Sequence, residues 1–267
     1  MLFNEKQIKK FEKWNQLKDS TYYPFIKVTD LSSTGVSSII RGFSTGRNHH
    51  TLSGIETSTF LLLDWQTSVK DIKEQYALDP VVTEQIANEA KIKHPSFKGE
   101  LAIMSSDFVV ETNEPQSKFA LQIKPHEKLK EPRVIEKLEI ERRYWARKNI
   151  PWFVVTEREI PETLTNNVKW LQSTLCEITQ IPNLEEKLEF LLSFSKKVDL
   201  SETIVDFSKQ IDSAYGLEIG ETLSEIRQLI AWRHINVDLT KKINYLTVKD
   251  FVDGAVISGG EDNAIVC

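Results

Sequence analysis

Cysteine is scarce in this 267-residue chain, which holds only Cys176 and Cys267. Two cysteines so far apart form neither the close pairs of a zinc site nor a disulfide framework. The histidines His49, His50 and His94 also lack the Cys, His and Asp partners that zinc-ligand spacing requires. We therefore expect no zinc site, and we expect these histidines to lie in loops or in the core.

Long apolar runs are also missing. The longest of them, such as Phe60-Leu-Leu-Leu63, are short and interrupted by charge, whereas a helix that spans a bilayer needs about 20 apolar residues. The first residues lack the apolar stretch of a secretory signal. The sequence predicts a soluble, cytoplasmic protein, and its 40% hydrophobic content is sufficient for the cores of two domains.

Several enzyme signatures are absent as well. The chain has no Walker A loop, no Gly-x-Ser-x-Gly elbow and no dinucleotide-binding glycine motif. ATP hydrolysis, acyl transfer and hydride transfer therefore have no support from motifs.

A basic excess, which proteins that bind DNA strongly on their own usually carry, is absent too. The net charge is −5. Residues 1–168 hold 24 Lys and Arg against 23 Asp and Glu, while residues 169–267 hold 10 against 16. The acidity is thus in the C-terminal part, and strong DNA binding would need a partner.

The patterns that are present indicate an α/β domain followed by a helical one. The N-terminal domain, residues 1–168, begins with a polar helix over residues 1–20 whose apolar stripe is typical of a docking arm. A further short helix is expected over residues 81–91. Around it the order is α-β-β-β-α-β, predicted at residues 53–65, 68–76, 107–111, 118–124, 131–148 and 151–156.

The C-terminal domain, residues 169–267, is expected to be mainly helical. Helices are predicted at residues 162–178, 183–197, 201–214 and 220–232, separated by turn residues. Two short β-like pieces between His234 and Phe251 predict a small hairpin. Helices followed by a hairpin are typical of a winged-helix module.

The predicted hairpin of the first domain carries candidate catalytic groups. Asp107 lies on one strand, and Gln122 and Lys124 lie on the next strand two residues apart, so their side chains should leave the same face. Hydrolysis of a phosphodiester needs a hard, oxygen-ligated cation and a positive group near the attacking water. A carboxylate beside a Gln-x-Lys could supply both, although a solvated sheet face is the alternative.

Two further acids are candidates. Glu56 would reach a metal from the preceding helix, directly or through a water, but Ser53-x-x-Glu56 is also a capping-box pattern in which Glu56 bonds only to the Ser53 backbone. Glu141 interrupts the apolar face of the helix over residues 131–148 and could be a second-metal or outer carboxylate. The alternative for Glu141 is an ion pair with Arg142, Arg143 or a lysine.

The same helix carries a basic cluster. Arg142, Arg143, Arg147 and Lys148 are candidates for contact with a DNA backbone. A solvated helix face explains the cluster equally well.

At these residues the sequence resembles the TnsA family, the endonuclease subunit of heteromeric bacterial DNA transposases. The stretches that carry the resemblance are Gly46-Arg47-Asn-His49-His50, Phe60-Leu-x-Leu-x-Trp65, Ile92-Lys-His-Pro95, Met104-Ser-x-Asp107-Phe, Phe119-Ala-x-Gln122-x-Lys124-Pro125, Glu136-Lys-Leu-Glu-x-Glu-Arg-Arg-Tyr-Trp145, Ile150-Pro-Trp-Phe153 and Thr222-Leu-Ser-Glu-Ile-Arg227.

The resemblance implies a restriction-endonuclease-like domain fused to a helical, winged-helix-like domain. It implies that Glu56, Asp107, Gln122 and Lys124 are the catalytic residues, with Glu56, Asp107, Gln122 and the Ile123 carbonyl holding Mg²⁺, for which Mn²⁺ should substitute. It also implies nicking of the 5′ ends of a transposon, a separate subunit that cuts the 3′ ends, and an ATP-dependent regulator that binds residues 169–267. The rival hypotheses are a free-standing restriction or repair nuclease and a catalytically silent assembly module.

Overall fold

The computed structural model describes residues 2–30, 36–114, 117–177 and 183–256. The chain divides into two compact units, Met1–Ile160 and Pro161–Cys267, which are called here the N-terminal and C-terminal units. The boundary predicted after residue 168 falls inside a continuous helix, which belongs entirely to the C-terminal unit. Pro115 and Gln116 of the predicted turn, and Cys267, lie outside the described residues.

The N-terminal unit contains the predicted α-β-β-β-α-β order, with short elements added before and within it. In chain order its helices and strands are α1 (Glu5–Leu17), β1 (Ser38–Arg41), β2 (Asn48–Thr51), α2 (Gly54–Trp65), β3 (Val69–Ala77), α3 (Pro80–Glu89), β4 (Ser96–Phe97), β5 (Glu100–Leu101), β6 (Ser105–Thr112), β7 (Lys118–Ile123), α4 (Pro132–Arg147) and β8 (Trp152–Val155).

Local chemistry explains where the main helices begin. Ser53 accepts a hydrogen bond from the Glu56 amide at the start of α2, and Asp79 caps α3 just before a proline in its first turn. Pro132 likewise occupies the first turn of α4. The sequence predicted helices at the same three places, over residues 53–65, 81–91 and 131–148.

One four-stranded mixed sheet organises the unit, in the order β3-β6-β7-β8. The first two pairings are antiparallel and the last, β7 with β8, is parallel, with α4 as the connection. The fold is therefore α/β, as predicted from the sequence.

Both faces of the sheet are covered. On one face, Phe60 of α2 packs with Phe108, Leu121 and Ile123. On the other face, Val109 and Ala120 pack with α3 and α4 through the residues Ile86, Ala87, Ile140, Tyr144 and Trp145. On β7, Phe119, Leu121 and Ile123 belong to the first of these clusters, whereas the face that carries Ala120 and Gln122 is buried beneath α4 rather than solvated.

The N-terminal helix is part of this unit and does not present a free apolar stripe. Phe11 and Trp14 are buried against Phe25 and Ala77, and the Trp14 indole donates to the Tyr23 carbonyl over 2.9 Å. The stripe that predicted a docking arm is used for packing inside the unit. Its role is to hold the segment that follows α1 against β3.

A buried polar cluster joins the β1–β2 hairpin to β3. The fully buried Glu74 carboxylate accepts from Arg47 Nη1 over 2.8 Å and contacts His49 Nδ1 at 2.9 Å. Burial raises the pKa of Glu74, but the hydrogen bond from His49 and the charges of His49 and Arg47 hold it below its ordinary value of 4.5. His49 and His94 are both buried, as expected for core histidines.

The C-terminal unit is helical. Its helices are α5 (Glu162–Glu177), α6 (Leu184–Ser195), α7 (Ile204–Tyr215), α8 (Glu221–Ala231) and α9 (Val248–Asp253). The α7–α8 corner is closed by Asp212, whose carboxylate accepts from the Gly220 and Thr222 amides over 2.8 and 3.0 Å. Arg227 of α8 donates to the Trp170 carbonyl of α5 over 2.9 Å. The four helices predicted here are confirmed.

The hairpin predicted between His234 and Phe251 is wrong. No strand pair occurs within residues 183–256, where a 3-10 turn, Ile243–Tyr245, is followed by α9. Asp238 accepts from the Thr240 amide over 2.9 Å and closes a turn. Thr247 and Asp250 then cap each other and start a helix where the second strand was expected. The hairpin that would form the wing of the predicted winged-helix module is therefore absent from residues 183–256.

Among the described residues, each helix is too short or too polar to cross a membrane.

The Glu74 cluster gives a prediction about stability. Glu74→Gln should lower the free energy of unfolding by about 3 kcal/mol, because it leaves Arg47 without its buried counter-charge. Since the folded-state pKa of Glu74 is depressed, its contribution is present above about pH 4.5 and is lost as pH falls through the folded value. Urea unfolding at several pH values measures both effects.

Glu89→Gln is the matched control, because Glu89 pairs with Arg147 at the exposed surface. It should change the stability by less than about 0.5 kcal/mol. Equal losses in the two variants would contradict the structural role of Glu74.

Candidate active site

The predicted acids converge at one end of the central sheet. Glu56 lies in the first turn of α2 and Asp107 lies in β6. Both side chains are buried, with 7% and 6% of their surface exposed. A single amide nitrogen, Nε2 of Gln75, lies 3.3 Å from a carboxylate oxygen of each. Two residues 51 positions apart in the sequence are thus brought to opposite sides of one donor.

Asp107 is surrounded by donors. Its Oδ2 accepts from the Ile123 amide over 2.7 Å, and Lys124 Nζ lies 3.5 Å from the same oxygen. Its Oδ1 accepts from Gln75. These hydrogen bonds join Asp107 on β6 to the end of β7, as expected from the predicted pairing of the two strands.

Glu56 combines a local capping role with a place in the site. Its Oε2 accepts from the Leu52 amide over 2.8 Å and its Oε1 accepts from Ser53 Oγ over 2.9 Å. The capping interaction that was the alternative for Glu56 is therefore present in part. Its donors are the Leu52 amide and the Ser53 hydroxyl rather than the Ser53 amide. Burial, followed by the charge of Asp107, raises the pKa of Glu56 to about 7.

Gln75 is the residue that the sequence analysis missed. It is 2% exposed and has a φ of +49°, in the left-handed region that favours glycine. The available signal was a run of three polar residues, Lys73, Glu74 and Gln75, in the middle of a strand. All three are buried, so the run breaks the alternation of a half-buried strand.

Gln122 and Lys124 lie beside a pocket of about 240 Å³ between β7 and α4. Gln122 is 6% exposed, and its Oε1 is buried without a hydrogen-bond partner. Lys124 Nζ donates to the Ile123 carbonyl over 2.7 Å. The predicted carbonyl ligand is therefore in contact with the predicted catalytic lysine.

Glu141 lines the same pocket. It is buried and accepts from Ser106 Oγ over 2.6 Å and from Trp152 Nε1 over 2.9 Å. Burial raises its pKa to about 8. The two arginines of the ion-pair alternative, Arg142 and Arg143, both bind Glu139 instead of Glu141.

The basic cluster of α4 is largely engaged with acids. Arg142 donates to Glu139 over 2.7 and 2.9 Å, and Arg143 donates to the same carboxylate over 2.6 Å. Arg147 pairs with Glu89, and Lys148 Nζ lies 5.0 Å from the centre of the Tyr144 ring. The structure does not bring these four side chains into the group around Asp107.

The oxygen atoms available at this site could bind a divalent cation, although together they carry little negative charge. No group of three or more His, Cys, Asp or Glu side chains suited to a metal occurs in the described part of the chain. The site instead offers two carboxylates and the unpartnered Gln122 Oε1. Buried polar atoms normally have a partner, and oxygen ligands of this kind are those that hard cations prefer. The lone amide oxygen is the observation that favours a metal here.

Comparison with known proteins identifies the family. Residues 66–157 match the family described as "TnsA-like endonuclease N terminal", and residues 159–239 match "TnsA endonuclease C terminal". The chain is also 40% identical over 238 residues, which are 89% of its length and 86% of the relative's, to "Transposon Tn7 transposition protein TnsA" of Escherichia coli. The chain therefore belongs to the TnsA endonuclease family and is a DNA endonuclease.

Proposed function

We propose that this endonuclease is a Mg²⁺-dependent subunit of a transposase that nicks the 5′ ends of its transposon, while a separate subunit cuts the 3′ ends. The observation that carries the proposal is the convergence of Glu56, Asp107 and Lys124 beside an unpartnered Gln122 oxygen. An intact, buried acid pair argues against a catalytically silent assembly module.

Glu56, Asp107 and Gln122 would hold the cation, with the Ile123 carbonyl as a further oxygen ligand. That carbonyl already accepts from Lys124, but a carbonyl oxygen has two lone pairs, so both contacts are compatible. When bound, Mg²⁺ would offset the negative charge that develops on the phosphate during attack. Mn²⁺ should substitute for it.

Lys124 would orient the water that attacks phosphorus. Its amine is held at 2.7 Å from the Ile123 carbonyl and 3.5 Å from Asp107, and 32% of its side chain is exposed. The amine is therefore fixed at the site yet accessible to water and to the DNA. The expected products carry a 5′-phosphate and a 3′-hydroxyl.

Glu141 would act as an outer carboxylate. It is fixed by Ser106 and Trp152 in the wall of the pocket that Gln122 and Lys124 also line. From there it would influence the electrostatics of the site without being one of the main ligands.

The DNA backbone would lie along α4. Because Arg142 and Arg143 share Glu139, these three side chains present one net positive charge. Arg147 and Lys148 extend the basic surface. This modest charge agrees with a nuclease that relies on partners to reach its DNA.

The C-terminal unit would bind an ATP-dependent regulator. Residues 169–267 carry the acidic excess of the chain, and the basic side chain of Lys241 pairs with Asp250 over 3.2 Å. An acidic helical surface suits a protein partner better than duplex DNA.

The first test separates the two strands. Asp107→Asn should abolish 5′-strand nicking by the assembled transposase and leave 3′-strand cutting, because the other strand would use a different active site. Thermal stability should fall modestly, because the amide nitrogen of the new side chain would face a donor, either the Ile123 amide or Gln75 Nε2. Mapping both strands of a DNA that carries the transposon ends gives the answer.

Asp19→Asn is the control, because the Asp19 side chain is 74% exposed. Both strands should be cut normally by this variant. If Asp107→Asn still nicks the 5′ strand, the assignment of the site is wrong, and if the wild-type protein alone cuts plain DNA, the free-standing nuclease hypothesis is favoured.

The second test concerns the metal. Gln122→Glu should strengthen Mg²⁺ binding roughly tenfold by adding a negative ligand. Gln122→Leu should weaken it and cost little stability, because the replaced oxygen has no hydrogen bond to lose. Isothermal calorimetry with the full-length protein measures both variants. Unchanged binding in both would show that Gln122 is not a ligand.

The third test concerns the partner. The fragment 161–267, once circular dichroism shows it to be helical, should capture the regulator in a pull-down assay and should bind duplex DNA weakly at physiological salt. A fragment that ignores the regulator but binds DNA tightly would reverse the assignment.

A further inference from the structure

Gln75 has a side-chain position that no local requirement of β3 explains. Its Nε2 donates to Glu56 Oε2 and to Asp107 Oδ1, both over 3.3 Å, and its Oε1 accepts from Ser105 Oγ over 3.3 Å. Carboxylates only accept hydrogen bonds, so the amide nitrogen must face the acids. The Ser105 hydroxyl satisfies the oxygen at the other end and keeps the amide from turning over.

The backbone of Gln75 is also unusual. A φ of +49° is unfavourable for a residue with a side chain, and such residues persist where the surroundings impose them, often at functional sites. The neighbours in the register, Glu74 with Phe108 and Tyr76 with Ser106, are ordinary pairs. The distortion is therefore confined to the residue whose side chain lies between the two acids.

The N-terminal segment imposes this conformation. The Phe25 amide donates to the Gln75 carbonyl over 3.2 Å, and the Tyr22 hydroxyl donates to the Glu74 carbonyl. The segment is fixed in turn by Trp14, whose indole binds the Tyr23 carbonyl and whose ring packs edge-on against Tyr76 at 5.0 Å between centroids.

We propose that Gln75 is a positioning residue of the metal site: its amide holds the Glu56 and Asp107 carboxylates at a fixed spacing, and residues 22–25 hold Gln75 in the backbone conformation that this requires. The inference rests on the proposed function, because it assigns Gln75 to the cation site argued above. Glu56 Oε1 accepts from Ser53 and Asp107 Oδ1 accepts from Gln75, so each of these two oxygens keeps a second lone pair with which it could bind a cation.

The physical reason is the repulsion between the acids. Without a donor between them, two buried carboxylates would move apart. A divalent cation would then have to reassemble the pair as it binds, and its affinity would fall. Outer groups that orient metal ligands typically contribute 10- to 100-fold to metal affinity.

The experiment is Mn²⁺ binding by the full-length protein, followed through the electron paramagnetic resonance signal of free Mn²⁺. Gln75→Met keeps the length of the side chain and removes the donor. It should raise the dissociation constant roughly 10- to 100-fold, and cleavage should recover as Mn²⁺ is increased. A loss of packing alone would lower the melting temperature without moving the metal midpoint.

Gln75→Gly separates the side chain from the backbone. Glycine accepts the positive φ, so this variant should lose metal affinity as Gln75→Met does while relieving the backbone strain. Gln85→Met makes the same chemical change on the exposed surface of α3 and should bind Mn²⁺ like the wild type.

Ser105→Ala tests the orientation of the amide. It should weaken Mn²⁺ binding less than Gln75→Met does, and it should have no further effect in the Gln75→Met background, because the two residues act through one hydrogen bond. Independent effects of the two substitutions would count against the mechanism.

Two outcomes overturn the inference in different ways. If Gln75→Met and Gln75→Gly both bind Mn²⁺ like the wild type while Asp107→Asn loses binding, the metal site stands and the positioning role is wrong. If Asp107→Asn also binds Mn²⁺ normally, the proposed site itself is wrong and the inference fails with it.

Discussion

Repulsion between two buried carboxylates is the constraint around which the N-terminal unit is arranged. Glu56 and Asp107 come from different elements, and each is surrounded by donors that reduce the cost of burying its charge. The donors come from the start of α2, from the end of β7 and from β3. These donors lower the cost of burying the two charges, and the negative charge of the pair is what would attract the proposed cation.

The same principle of compensated burial appears beside the site. Glu74, the residue before Gln75, is fully buried and balanced by Arg47 and His49 of the β1–β2 hairpin. Two adjacent residues of β3 thus serve two polar networks on different sides of the strand. A substitution in the β1–β2 hairpin that displaces Arg47 would disturb Glu74. Glu74 is joined directly to Gln75, which binds both acids.

Residues with local signals were predictable from the sequence, and residues whose role depends on distant contacts were not. The local sequence patterns predicted α2, α3, α4 and β7 at the places where the structure has them. The environment of Gln75 depends on Phe25, Glu56 and Asp107, none of which is its neighbour in sequence. The amphipathic stripe of α1 was recognisable, but its periodicity could not indicate that the partner surface belongs to the same unit. The absence of the predicted hairpin has a local cause, because the Thr247–Asp250 capping box begins a helix where the sequence has only a weak β pattern.

The hydrogen bonds from Tyr22 and Phe25 to β3 limit where this chain could be joined to another without disturbing the proposed site. The family described as "TnsA-like endonuclease N terminal" matches residues 66–157, a range that begins after Glu56 and after the segment that holds Gln75. A chimaera joined at residue 66 would keep the sheet and Asp107. It would lose Glu56 and the hydrogen bonds from Tyr22 and Phe25 that support β3. The segment that would preserve the proposed site is therefore the whole N-terminal unit, Met1–Ile160, which is longer than the range matched by that family description.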